Sequence, residues 1–147
     1  MSARIRQGFR YLDHTADLAV EAWAATADEV LAQAARAMFS AMLCLDAVRP
    51  LVSVNLSGQA PTLDDLLVEW LAGLLAEKDL SSLVFSRFVV TTRTVGPARL
   101  AYAGQAWGEP LNADRHRPSI EVKGISYLGL SVTQSAGVWT ARYVADV

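Results

Sequence analysis

Thr62-Leu63-Asp64-Asp65-Leu66-Leu67-Val68-Glu69-Trp70-Leu71-Ala72-Gly73-Leu74-Leu75 sets how the rest of the chain must be arranged. The Thr62 hydroxyl can cap a helix, and Asp64 and Asp65 fall in its first turn, where the peptide dipoles favour negative charge. Leu63, Leu66, Leu67, Trp70, Leu71, Leu74 and Leu75 recur at helical spacing and make the strongest apolar stripe in the chain. Lys78 and Asp79 mark the exit. A second stripe lies upstream. Thr26-Ala27-Asp28-Glu29 reads as a capping box, in which Thr26 accepts from the Glu29 amide and Glu29 reaches back. Val30, Leu31, Ala34, Ala35, Met38, Phe39 and Met42 then share one helical face, which should point into a core.

Around these helices the pattern is strand-like. Leu18, Val20 and Ala22 alternate with Ala19, Glu21 and Trp23. Leu51, Val52, Val54 and Leu56 suggest a strand after Pro50, broken by Gly58-Gln59-Ala60-Pro61. From Leu83 the period becomes extended through Thr92, Gly96-Pro97 turns the chain, and Leu100 to Trp107 is the expected hairpin partner. Gly104 and Gly108 read there as weak spots or bulges. Residues 107–118 are polar and turn-rich, the expected exposed functional loop. Ile120 to Tyr127, Leu128 to Thr133 and, after Gly137, Val138 to Val144 complete the strands. No internal repeat, low-complexity tract or linker interrupts the chain. The expectation is an α+β fold, one domain over residues 1–147, with a mixed or antiparallel β-sheet packed against two amphipathic helices.

Composition narrows the class. With 147 residues, 52% of them apolar and 19% charged, the chain can bury a core without staples and is not a disordered polymer. The net charge of −2 gives no general electrostatic footprint for RNA or DNA, so if nucleic acid matters here a partner is expected to hold it. The one cysteine, Cys44, cannot form an internal disulfide; it follows the first apolar helix face and is expected to be buried and inert. A cytoplasmic location fits that cysteine usage. Met1 to Arg10 carries arginines with no apolar stretch behind them, unlike a secretory signal, and the apolar runs are too short for a membrane span.

Polar chemistry concentrates at two places. Tyr11-Leu12-Asp13-His14-Thr15-Ala16-Asp17 sets two carboxylates four residues apart, on the same side of an extended segment, with His14 between them. At the other end Asp146-Val147 crowds a side-chain carboxylate, a main-chain carbonyl and a terminal carboxylate together. Oxygen donors without thiolates select a hard cation, so Ca²⁺ or Mg²⁺ fits better than zinc; the expected cofactor is a divalent metal, Ca²⁺ first and Mg²⁺ or Mn²⁺ after it. The plain alternative is that Asp13 caps a turn and Asp17 is a solvated strand flank. His14 can serve as ligand or base, or simply bond a neighbouring Asp. His116, in Asp114-Arg115-His116-Arg117-Pro118, is expected to face solvent. Lys123, inside a strand pattern beside Glu121, either faces the polar site or guards a sheet edge. A phosphate loop, a serine elbow, a Cys-His pair and a zinc-protease helix are all absent. The four tryptophans are too dispersed in sequence to suggest a stacking platform.

Together these features resemble the archease family. The resemblance rests on the 11–17 segment, Ala37-Met38-Phe39-Ser40-Ala41-Met42, Leu66-Leu67-Val68-Glu69-Trp70-Leu71, Ala106-Trp107-Gly108-Glu109-Pro110-Leu111, Val122-Lys123-Gly124-Ile125-Ser126-Tyr127 and the final Asp146-Val147, in that order over nearly the whole length. It implies a protein cofactor of the tRNA-splicing RNA ligase, the GTP-dependent enzyme that joins 3′-phosphate and 5′-hydroxyl RNA ends. Such a cofactor promotes ligase guanylylation and repeated turnover and has no catalytic residues of its own. The family metal site carries over to Asp17, Asp146 and Val147. Asp13, His14 and Lys123 match supporting or ligase-facing positions. One departure stands out: the usual Lys-Ala-x-Thr-Tyr-His run reads Lys123-Gly124-Ile125-Ser126-Tyr127-Leu128, so its histidine is lost. Two other readings stay open, a small metal-dependent phosphoester hydrolase using Asp17, Asp146 and His14, and a chaperone-like interaction module whose carboxylates are structural.

Overall fold

The computed structural model describes residues 7–12 and 17–147. In chain order these form β1 (Gly8–Leu12), β2 (Leu18–Ala24), α1 (Ala27–Met42), a short 3-10 turn (Leu45–Ala47), β3 (Val52–Ala60), α2 (Leu63–Ser81), β4 (Leu83–Gly96), β5 (Arg99–Pro110), a one-turn α3 (Ala113–His116), β6 (Gly124–Ser135) and β7 (Val138–Asp146). The α+β expectation holds, with one refinement. The strands divide into two sheets, β1-β2-β7-β6 and β3-β5-β4, and every neighbouring pair is antiparallel.

Both helices begin where their caps place them. Thr26 Oγ1 accepts from the Glu29 amide and Thr62 Oγ1 from the Asp65 amide, each at 3.1 Å. Each such cap contributes about 1 kcal/mol by satisfying a donor that the first turn cannot. α1 packs on β1, β2 and β7 of one sheet and on β4 of the other; α2 packs on β3, β4 and β5 and also on β6. Contact with two sheets explains why burial spreads beyond the predicted stripes, to Gln33 and Ala37 on α1 and to Val68 on α2.

Polar tips lock the layers in register. Buried Trp70 donates its indole N–H to the Leu31 carbonyl at 2.9 Å, and buried Tyr143 donates to the Ala34 carbonyl at 2.8 Å. Tyr11 reaches the Ala37 carbonyl at 2.9 Å. These α1 carbonyls have a second lone pair to offer, so Trp70 and Tyr143 are buried with their donors satisfied, while Tyr11 stays partly exposed. Trp70 also meets Phe88 and Tyr102 edge-on, and Phe39 meets Phe85 in the same way. On the opposite face of the first sheet, Glu21 is clamped between Arg10 and Arg142 at 2.8 and 2.6 Å.

Several local expectations are corrected. β3 continues through Gly58-Gln59-Ala60, because Gly58 sits under the Tyr102 ring rather than at a turn. Gly104 and Gly108 mark close approaches: an added Cβ would lie 2.5 Å from a Trp70 ring carbon and 1.7 Å from the Val84 carbonyl oxygen, respectively. The register shifts are on β4 instead, between Phe85 and Arg87 and between Thr94 and Gly96. β6 starts at Gly124, not Ile120, and shifts register between Ser126 and Ser131. β1, not anticipated, pairs Gly8–Leu12 with Trp23–Ala19. Cys44 is exposed, not buried, since the chain has already left α1. Residues 107–118 are no open loop: β5 extends to Pro110 and α3 follows. No helix among the described residues is long and apolar enough to cross a membrane.

Candidate functional site

The register of the four-stranded sheet brings the two poles of the sequence to one end. β2 pairs with β7 from Leu18↔Ala145 to Ala24↔Trp139. Asp17 is the residue before Leu18, and Asp146 the one after Ala145, so continuing the register one step sets them opposite each other. On the far side of Asp146 lies β6, where Gly124 pairs with Asp146 and the Lys123 amide donates to the Asp146 carbonyl at 2.7 Å. Pairing parity assigns the faces. Val20, Ala22, Ala141, Tyr143 and Ala145 are fully or nearly fully buried toward the helices, so Asp17 and Asp146 share the opposite, outward face. Asp146, Val147 and Lys123 are exposed, and Asp17 is half-buried.

Gly124 keeps the flank of Asp146 low. A Cβ built there would approach only Asp146 Oδ2, at 3.8 Å. Asp13 and His14 lie outside the described residues, so their part in this cluster is not addressed. Among the described residues no group of three or more His, Cys, Asp or Glu side chains is disposed to hold a metal ion; the two aspartates form a pair. Beyond Gly124 the β6 bulge presents Tyr127 at 66% and Leu128 at 81% exposure, next to one another. Leu128 thus points an apolar side chain at solvent.

A second charged cluster lies elsewhere and is buried. Glu109, 3% exposed at the end of β5, accepts the Arg49 amide at 2.8 Å on Oε2. His116 Nε2 lies 2.9 Å from the same oxygen, while Arg49 and Arg115 Nη2 reach Oε1 at 3.1 and 2.7 Å. The Arg49 amide, followed by the His116, Arg115 and Arg49 side chains, outweighs desolvation and pulls the Glu109 carboxyl from 4.5 down to about 2. His116 is fully buried, contrary to the solvent-facing expectation. Its Nδ1 accepts the Asn112 amide at 2.9 Å, which fixes the proton on Nε2, pointing at Glu109. The segment is latched further: Cys44 donates its amide to the His116 carbonyl at 2.7 Å, and Ser119 donates its amide and hydroxyl to Met42 and Ala41 carbonyls. Glu109 does not stand out in the sequence; an acid between Gly108 and Pro110 inside an apolar strand pattern is the one available signal. With three basic partners on one carboxylate, this cluster is a structural clamp between the end of β5, the start of the 49–51 connection and α3.

Comparison with known proteins identifies the family and the fold. The model of the Archease protein family (MTH1598/TM1083) matches residues 9–147. A protein archease from Methanopyrus kandleri is 35% identical over 92% of this chain and 96% of its own length, and one from Methanosarcina barkeri is 31% identical over the whole of both chains. Among solved structures, protein 1598 of Methanobacterium thermoautotrophicum superposes with a TM-score of 0.80 at 25% identity, covering 95% of this chain and 99% of that one. The Thermotoga maritima archease, described as a possible chaperone, shares the fold at a TM-score of 0.54 and 16% identity, covering 99% of this chain and all of that one. With the family pattern matched from the first described strand to the final residue, this chain is a member of the archease family.

Proposed function

We propose that this protein is an accessory cofactor of a tRNA-splicing RNA ligase, acting on the enzyme rather than on RNA directly, with Asp17, Asp146 and the Val147 carboxylate as a divalent-metal site. The observation that supports the reading is the β2–β7 register, which carries Asp17 and Asp146 to the same outward-facing end of one sheet. The donor set fits Ca²⁺, with Mg²⁺ or Mn²⁺ as alternatives: carboxylate oxygens, main-chain carbonyls and no thiolate. A bound cation would neutralise this acidic end and offer positive charge to a nucleotide phosphate. The chain's own part is to hold and aim those oxygens. Lys123, exposed on the neighbouring strand, and Asp13 and His14 from the motif preceding Asp17 are the ligase-facing positions in this reading. An acidic sheet end complements a basic, nucleotide-binding mouth on the partner and speeds encounter with it. A cytoplasmic setting and no membrane association go with this role.

Adding wild-type or Asp17→Ala protein to the ligase in a guanylylation assay tests the reading. We expect stimulation to drop by on the order of tenfold or more, because even groups behind a ligand shell cost that much in metal affinity. Equal stimulation by both proteins would sink it. The isolated chain should not turn over a generic phosphate ester; if it does, the hydrolase reading takes over. Partner binding that survives both chelation and Asp17→Ala would favour a chaperone-like module.

The chain end supplies a separate expected result. Two residues appended after Val147 should weaken Ca²⁺ binding in calorimetry, because the terminal carboxylate moves away from Asp146. Unchanged affinity in the extended protein removes that carboxylate from the ligand set while leaving the aspartates in it.

A further inference from the structure

The outer face of the three-stranded sheet is covered by no element of the described chain. Pairing across β3, β5 and β4 arranges that face in rows: Ser53-Trp107-Arg87, Asn55-Gln105-Val89, Ser57-Ala103-Thr91 and Gln59-Ala101-Arg93, with Arg99 one step beyond. These rows carry three arginines and no carboxylate. In a chain of net charge −2, that is a local reversal of sign. The centre line is low, because Ala101 and Ala103 on β5 are flanked by longer side chains on β3 and β4. Two open hollows result, of about 440 and 220 Å³, which share Ser57 in their lining. They adjoin as a trough along β5 from Ala101 to Gln105, roughly 14 Å at the ordinary rise of an extended strand, with Arg99 beyond one end and Trp107 beyond the other.

The lining is held in place. Arg99 Nε donates to Gln59 Oε1 at 2.9 Å, which draws its guanidinium across the end of the trough. Arg87 lies over the Trp107 ring at 4.8 Å, so the opposite end is a flat cationic stack. Gln105 donates to Ser53 Oγ at 3.3 Å. Asn55, Gln59 and Gln105 offer amide donors and acceptors along the floor between the two ends.

We propose that this trough binds a single-stranded nucleic acid. Arginines spaced along an extended groove suit a run of phosphates, guanidinium and indole planes suit bases, and amides suit base edges. An acidic peptide would also be drawn by the charge, but among the described residues of these rows Val89 is the one exposed large aliphatic that could anchor one. The inference uses a different sheet from the ligase reading and departs from it on one point: RNA would touch this chain directly, not only through the ligase. It also changes the conclusion drawn from net charge alone: a mildly acidic total conceals one basic surface.

The probe is a fluorescein-labelled, mixed-sequence RNA of about 12 nucleotides, within the range of site sizes for such grooves, followed by fluorescence anisotropy. At about 50 mM salt we expect saturable binding that weakens as salt rises. Arg93→Glu with Arg99→Glu should weaken it at least about tenfold, since each change both removes a cation from the phosphate path and adds repulsion. Arg93→Gln with Arg99→Gln should flatten the log–log salt slope by about 1.4, at roughly 0.7 for each phosphate of a single strand that is no longer neutralised. Gln134→Glu with Ser135→Glu, at the exposed end of β6 on the other sheet, controls for added negative charge and should leave affinity unchanged. Circular dichroism checks that the surface variants stay folded. Absence of binding at low salt, equal binding by the Arg93/Arg99 variants, or tighter binding of an Asp-rich peptide than of RNA each overturns the proposal; the last would assign the face to an acidic protein partner.

Discussion

Gly108→Ala is expected to destabilise the protein by about 3 kcal/mol or more, or to prevent it from folding, at the upper end for an overpacked interior. The reason is backbone rather than side chain. A Cβ at position 108 would sit 1.7 Å from the Val84 carbonyl oxygen, 2.7 Å from its carbon and 2.9 Å from the Phe85 Cα. None of these atoms can swing aside, because they belong to β4 where it pairs with β5 next to the Phe85/Arg87 bulge. Relief would require separating the two strands at their most crowded point. Gly104→Ala should cost less, about 1–3 kcal/mol: its Cβ meets the Trp70 ring at 2.5 Å, and a ring can tilt although this one is fully buried. Gly124→Ala should change stability by no more than about 0.5 kcal/mol, since only Asp146 Oδ2 comes within 3.8 Å. Urea titration of the three variants checks the order. A Gly108→Ala protein as stable as Gly124→Ala would mean that β4 and β5 are not packed as described.

The helices and most strands are legible in the sequence because their signals are local. Thr26 and Thr62 cap where their spacing to Glu29 and Asp65 requires, and the apolar stripes behind them are buried. The division of the strands into two sheets is not legible. Alternation along Leu83–Thr92 or Val138–Val144 reports which face is inside, but says nothing about which strand lies alongside. Gly104 and Gly108 are ambiguous for a related reason. A glycine in a strand pattern signals either a bulge or a close approach, and only the partner, Trp70 for Gly104 and the Val84 carbonyl for Gly108, distinguishes them.

The sites are legible unevenly. Asp17 and Asp146 stand out by residue type, yet their meeting depends on a β2–β7 pairing between segments at opposite ends of the chain, which no short-range pattern encodes. Net charge conceals the arginine face of β3-β5-β4 because a sum over the chain carries no position: the strand alternation that turns Arg93 and Arg99 outward turns Tyr102, paired with Thr92, inward. His116 looks exposed in the sequence because its neighbours Asp114, Arg115 and Arg117 are charged. It is buried because Glu109, seven residues back, supplies an acceptor for its Nε2 proton.

Glu109→Ala is expected to lower the melting midpoint by on the order of 10 °C, a size typical of removing one partner from a buried charge cluster in a chain of this length. The variant would leave the His116 Nε2 proton and the Arg49 amide facing a void, and Arg49 and Arg115 would lose the carboxylate that holds their guanidiniums together. Glu109→Gln preserves shape and so isolates charge. Glu109 has its carboxyl lowered from 4.5 to about 2 by the Arg49 amide, aided by the His116, Arg115 and Arg49 side chains. A depressed carboxyl stabilises the folded state fully above its unfolded value and loses that contribution as pH falls through the folded value. The wild-type protein should therefore melt higher than Glu109→Gln at pH 6, and the gap should narrow as pH drops from about 4.5 through about 2, below which Glu109 is neutral in both states. Other carboxylates shift both proteins alike, so the difference between the two melting curves is the quantity to follow. A gap that stays constant across that range would show that the Glu109 charge is not what joins β5 to α3.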